Sequence, residues 1–282
     1  MGEFTDWPTP PAPLARTVID SHTHLDVHDR GLHGDEIPDP TDLLKRALEV
    51  GVDRVVQVGC DVKSSEWALQ AALEFPQVLA TVALHPNEAP RRAAAGELQS
   101  ALASIAELAQ NPRVRGIGET GLDYFRTDES GRAAQHESFR WHIDLARELD
   151  KTLVIHDRDS HDDVLSVLQG QGAPERVVFH CFSGDAVMAK VCAENGWFMS
   201  FAGVVTFKNA EGLREALDVV PDELLLVETD APYLTPVPNR GKVNASYLMP
   251  YTVRAIAERR EVSESEMCEL LTANAVRAFG DW

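Results

Sequence analysis

Basic residues are scarce in this 282-residue chain: 26 Lys and Arg stand against 45 Asp and Glu, a formal net charge of −19. That balance excludes a protein that grips long duplex DNA along a broad basic face, because such a grip sets Lys and Arg against the phosphates. At long range the chain repels polyanions, so a nucleic-acid substrate would have to be drawn in locally by bound cations and a few Arg and Lys residues. Cysteine is equally sparse. Cys60, Cys181, Cys192 and Cys268 lie far apart with no C-x-x-C pair, which argues against a disulfide frame and for reduced, mostly buried thiols. Long apolar runs are missing too. Nothing approaches about 18 consecutive apolar residues, so no membrane span is expected. Met1 to Asp6 lack the basic and apolar regions of a secretion signal, and position 6 is Asp6 where a myristoylation signal has Ser or Thr. A cytoplasmic location is the expectation.

What is present is the pattern of an α/β protein. Residues 1–16 hold Pro8, Pro10, Pro11 and Pro13 and read as an extended tail before the fold. From residue 17, short Val/Ile/Leu-rich runs alternate with amphipathic stretches. The strand candidates are 17–22, 54–59, 78–84, 114–119, 153–156, 176–180, 197–202 and 224–229. Several are almost wholly apolar, as parallel strands buried on both faces are. Helical stretches are expected at 41–50, 64–75, 96–110, 132–149, 160–169, 185–195 and 209–218, then near 246–260 and 263–278 after a Pro-rich loop at 231–245. The repeated βα spacing, with no internal linker, predicts one domain over 17–282, an α/β (β/α)₈ TIM barrel. A doubly wound sheet is the alternative, since counting strands does not prove closure.

The chemistry gathers at the strand ends. Val18 and Ile19 lead into His22-Thr23-His24, and side chains two apart on a strand share a face. His85 ends the third strand, Glu119 the fourth, His156 the fifth and His180 the sixth, and Asp230 follows the eighth. In a barrel these ends meet at one mouth. A single strand-end histidine more often packs or hydrogen-bonds, but the whole set in register is a metal site. His22, His24 and a carboxylate would hold one divalent ion with room for water. His156 and His180 would hold a second, with Glu119 bridging. Two ions about 3.5–4 Å apart suit phosphoester hydrolysis. Asp230 could bind a metal and take the proton of the attacking water. His28, His33, His136, His142 and His161 read instead as solvated or helix-surface residues.

The H-x-H of strand 1, GETGLDYFR at 118–126, IHDRDS at 155–160, FHCFSG at 179–184 and ETDAPYL at 228–234 resemble the TatD family of metal-dependent deoxyribonucleases, within the amidohydrolase group. The resemblance runs from about residue 17 to the C-terminus. It implies that His22, His24, Glu119 and Asp230 serve one metal, and Glu119, His156 and His180 the other. It further implies cleavage of DNA phosphodiesters, with Mg²⁺ supporting turnover and single-stranded 3′ ends as substrate. Two departures stand out: Asn87 where the family often has the second histidine of H-P-H, and Ser246 in place of the proline of R-G-K-x-N-x-P.

On this reading Asp230, Glu119, His85 and Arg158 are catalytic, His85 lying near the scissile phosphate. Arg158, Arg240 and Lys242 form a phosphate clamp, Arg through its planar, bidentate donors, and Tyr124, Phe125 and Tyr233 are rim aromatics on which an exposed base could stack. Two divalent ions per chain are expected, Mg²⁺ or Mn²⁺ for turnover, with Zn²⁺, Co²⁺ or Ni²⁺ suited to the histidine-rich ligands. DNA ends are the expected partner, with no obligate protein partner and a monomer or weak oligomer. Hydrolysis of an amide, lactone or aminoacyl ester is the enzymatic alternative, since the same ions polarise carbonyls. A binding protein with a vestigial site is the third reading, and the presence of every candidate ligand argues against it.

Overall fold

Alternation of buried strands and amphipathic helices dominates the computed structural model, which describes residues 7–26 and 38–282. Eight strands run in sequence order around one sheet: β1 (Val18–Thr23), β2 (Val52–Val58), β3 (Val78–Val82), β4 (Val114–Asp123), β5 (Thr152–Arg158), β6 (Val177–Phe179), β7 (Phe198–Phe201) and β8 (Leu225–Val227). Every neighbouring pair from β1 to β8 is parallel. The segment after β8 closes the ring on β1: Asp230 N–H donates to His22 O at 3.0 Å, and His24 N–H donates to Ala231 O at 2.9 Å. Side chains continue the seam where backbone pairing stops. Asp20, fully buried, accepts the N–H and hydroxyl of Thr229, and Ser21 Oγ donates to Val227 O. The fold is the expected (β/α)₈ barrel.

The helices pack outside it: α1 (Pro40–Glu49), α2 (Val62–Glu74), α3 (Glu88–Ala94), α4 (Leu98–Ala109), α5 (Glu129–Glu148), α6 (His161–Gln171), α7 (Ala186–Glu194), α8 (Glu211–Val219), α9 (Met249–Arg259) and α10 (Glu264–Phe279). Their starts are chemically marked. Asp61 and Ser263 form capping boxes with Ser64 and Glu266 at α2 and α10, and Asp39, Asp128 and Asp185 cap α1, α5 and α7. Among the described residues, no helix is long and apolar enough to cross a membrane.

Two differences from the sequence reading bear on the site. Helix α3 was not expected, and it begins just after His85-Pro86-Asn87, so the end of β3 turns directly into a helix. Strand β4 runs to Asp123, four residues beyond Glu119, and pairs with β5 as far as Arg158. Residues 7–16 form no regular element but are tied down: Tyr247 Oη donates to Pro8 O, and the Arg254 guanidinium donates to Ala12 O and Pro13 O. His28 and His33 lie outside the described residues.

Candidate metal centre

The strand register brings His22, His24, His85, Glu119, His156, His180 and Asp230 to one end of the barrel around a single carboxylate. Glu119 is buried, and its two oxygens face different partners. Oε2 lies 3.5 Å from His22 Nε2 and 3.8 Å from His24 Nε2. Oε1 lies 2.6 Å from His156 Nδ1, 2.9 Å from His180 Nε2 and 3.3 Å from His85 Nε2. Asp230 Oδ1 completes the first group, 3.8 Å from His22 Nε2 and 3.6 Å from His24 Nε2, and the two histidine nitrogens are 3.2 Å apart. A tetrahedral site with bonds of about 2.1 Å has edges of about 3.4 Å. These donors are therefore spaced to hold one divalent ion. Glu119 Oε1, His156 and His180, whose facing nitrogens are 3.4 Å apart, would hold the other.

The remaining ring nitrogens fix what each imidazole presents. His24 Nδ1 donates to Val58 O at 3.1 Å, and His180 Nδ1 donates to Glu228 Oε1 at 3.2 Å. Both therefore aim Nε2 inward, where it meets the acids of the metal-free centre and would be bare once an ion is bound. His85 is set the other way. Its Nδ1 accepts the N–H of Asn87 at 3.0 Å, so Nε2 carries the proton and points it at Glu119. His85 is thus a hydrogen-bond donor aimed into the centre.

Burial lowers the pKa of His22, and the imidazole of His180 stacked on it adds to the effect, keeping His22 neutral. Burial would raise the Glu119 carboxyl, but the neighbouring His180 and His85, with hydrogen bonds from His156 and His180, hold it well below the usual range. Asp230 behaves alike: burial opposes its charge, and the hydrogen bond from His24 and the nearby imidazoles prevail. Burial pushes the Cys60 thiol up to about 12. Cys60 is accordingly a neutral S–H donor, 3.6 Å from Glu119 Oε2.

Several residues here were not singled out from the sequence. Asp123, at the end of β4, accepts Asn87 Nδ2 at 3.0 Å and Arg126 N–H at 2.8 Å, and its Oδ2 lies 3.3 Å from His156 Nε2. Asn87, where the family often has histidine, thus links the ends of β3 and β4. Glu228 backs His180. Buried Asn244 ties the loop after β8 together by donating to Thr229 O and Tyr233 O. The quoted runs GETGLDYFR and ETDAPYL contained Asp123 and Glu228, four residues after Glu119 and two before Asp230, and an acid at an even offset from a strand-end ligand was the available signal. His142 is a correction. It is fully buried on α5, accepts Leu84 N–H at Nε2 and donates from Nδ1 to Ser138 O, so it supports the end of β3 rather than facing solvent.

The proposed clamp residues line the rim. The Arg158 guanidinium stacks over the ring of Phe125 at 3.8 Å, and that of Arg240 over Phe207 at 4.3 Å. Neither makes an ion pair among the described residues. Of the two acids beside Arg158, Asp157 is engaged elsewhere, since it accepts Ser160 Oγ and His161 Nδ1. Lys242 is exposed on the same loop as Arg240. Tyr124 turns toward α5 and α6: its hydroxyl meets His136 and Asp163, and Arg132 covers its ring at 3.9 Å. Its neighbour Phe125 is the ring left 62% exposed.

Known proteins share this plan. The family model described as TatD related DNase matches residues 19–280. The uncharacterized metal-dependent hydrolase TatD of Mycobacterium tuberculosis is 44% identical over 267 residues, covering 93% of this chain and 98% of that protein. The uncharacterized metal-dependent hydrolase YabD of Bacillus subtilis is 36% identical, covering 93% and 98%. Among solved structures, YJJV, a TatD homolog from Escherichia coli, superposes with a TM-score of 0.85 over 94% of this chain and 98% of that one, at 24% identity.

Proposed function

Since the chain belongs to the TatD-related DNase family, we propose that it is a metal-dependent hydrolase that cleaves DNA phosphodiester bonds, removing nucleotides from single-stranded 3′ ends. The observation that carries this reading is the division of the Glu119 carboxylate, with Oε2 turned to His22 and His24 and Oε1 to His156 and His180. His22, His24, Glu119 and Asp230 would hold one divalent ion, and Glu119, His156 and His180 a second. Bound there, such ions activate water and neutralise charge on a phosphodiester.

The chain's own residues supply the rest. Asp230, its carboxylate kept ionised, would orient the attacking water and take its proton at Oδ2, the oxygen other than the metal-facing Oδ1. His85 offers its Nε2–H to the scissile phosphate or its leaving oxygen. Arg158 and Arg240, without acid partners among the described residues and held flat by aromatic rings, bind phosphate oxygens with paired N–H donors. These local cations answer the charge problem: the chain repels long polyanions as a whole, yet the rim of the site is set to receive a strand end.

The net charge of −19 also favours a second reading, hydrolysis of a neutral ester, lactone or amide. Single-stranded oligonucleotides compared with such substrates, at matched metal and salt, separate the two. Release of mononucleotides supports the nuclease, and turnover of the neutral substrates alone supports its rival.

A further inference from the structure

Glu228, one residue beyond β8, is fully buried with no Lys or Arg against it among the described residues. Its Oε1 accepts Nδ1–H of His180 at 3.2 Å and N–H of Cys181 at 2.8 Å. Its Oε2 has no partner. His22 is equally buried, its Nε2 faces Glu119 and Asp230, and its Nδ1 has no partner either. The rings of His22 and His180 stack with centroids 3.9 Å apart and planes 14° from parallel. His22, His180 and Glu228 each bring a ligating atom within 4.8 Å of the others.

One unpaired acceptor and one unpaired donor thus share a buried place. Each such orphan costs stability, and folded interiors rarely keep them. Nearby groups do not serve His22: Ser21 Oγ is committed to Ser200 and Val227 O, and both Asp20 oxygens are taken by Thr229. We propose that Glu228 is a positioning residue common to both halves of the centre. Its Oε1 takes Nδ1–H of His180 and its Oε2 takes Nδ1–H of His22, directly or across one water. One carboxylate then fixes the tautomer of a ligand on each side, leaving both Nε2 atoms bare. The inference rests on the metal-centre reading above and deepens it, since the two halves would share a second carboxylate behind the histidines as they share Glu119 in front.

Glu228→Gln tests it with little change of shape. Its carbonyl can still accept Cys181 N–H, which turns its NH₂ toward His22 Nδ1 and favours the Nε2–H tautomer there. In metal-free protein labelled with ¹⁵N-histidine, the parent is expected to show His22 as the Nδ1–H tautomer, and the variant to lose it. In a Zn²⁺ titration the equivalent held by His22 should weaken about 10- to 100-fold, the usual range for groups that orient a ligand, and that held by His180, whose Nδ1–H the Gln carbonyl still accepts, should weaken less, while the metal-free melting temperature changes little. Should E228Q not fold, Glu228→Asp, which keeps the charge, is read the same way. An unchanged His22 tautomer, an unchanged affinity for the His22 equivalent, or a third equivalent in the parent that E228Q abolishes would overturn the proposal. A parent that binds no metal would instead fail the metal-centre reading, and the tautomer spectra would still decide the role of Glu228.

Discussion

Glu119 Oε1 lies 2.6 Å from His156 Nδ1, while the other oxygen of the same carboxylate is turned to His22, 3.5 Å away. One side chain from β4 thus stands between two sets of histidines from strands on either side of it. This makes the two halves separable by mutation. His24→Ala should cost one equivalent of bound metal and His156→Ala the other, whereas Glu119→Ala should cost both and leave no turnover. Metal content after dialysis, with melting temperature as the control for folding, checks this. Loss of both equivalents in H24A would mean the halves do not form independently.

Arg158 should bind substrate rather than hold the fold. Its guanidinium rests on Phe125 and has no acid partner among the described residues, so Arg158→Ala should leave the melting temperature nearly unchanged. KM for a single-stranded oligonucleotide should rise roughly 10-fold or more, the worth of a hydrogen bond to a charged group. Arg158→Lys should recover little, because a lysine ammonium cannot offer two coplanar donors. Equal steady-state constants for R158A and the parent would remove Arg158 from the clamp.

Stability should fall in mild acid through His142. Burial lowers its pKa from 6.5 to about 4. The folded value is below the unfolded one, so protonation favours the unfolded chain. His142 therefore contributes fully above pH 6.5, and its contribution drains away as the pH falls toward 4. The loss is roughly 3 kcal/mol across that window. Urea unfolding of metal-free protein at stepped pH should show a steeper decline for the parent than for His142→Gln. Parallel curves would refute the assignment.

Gly121 should tolerate no side chain. Its φ is +141°, and a Cβ there would collide with the carbonyl oxygen of His156 on the paired strand. Gly121→Ala should destabilise by roughly 3 kcal/mol, from overpacking against backbone, and should displace His156 with it. A melting temperature equal to the parent's would contradict this.

The barrel and the gathering of the candidate ligands at one end of it were legible because both follow from local pattern. Apolar runs such as Leu224-Leu225-Leu226-Val227 mark buried parallel strands, and side-chain alternation places His22 and His24 on one face. Once the barrel is assumed, His85, Glu119, His156, His180 and Asp230 converge by topology alone. What stayed hidden depends on contacts across the chain. His142 lies in a polar-looking stretch of α5, and only the docking of that helix on Leu84 buries it. Asp123 and Glu228 look like ordinary acids until the lengths of β4 and β8 bring them behind His156 and His180. Tyr124 and Phe125 were indistinguishable as rim aromatics, and the positions of His136, Asp163 and Arg132 decide which ring is covered.

Cleavage of a single-stranded oligonucleotide by chelator-treated protein, with each divalent metal restored in turn, tests the central claim most directly. Labels at the 5′ and 3′ ends report which end is shortened. The account predicts no cleavage in chelator, and stepwise loss of nucleotides from the 3′ end once Mg²⁺ or Mn²⁺ is returned. The same metals should restore nothing to Glu119→Ala. An intact oligonucleotide with every metal, beside turnover of an ester or lactone, would contradict it.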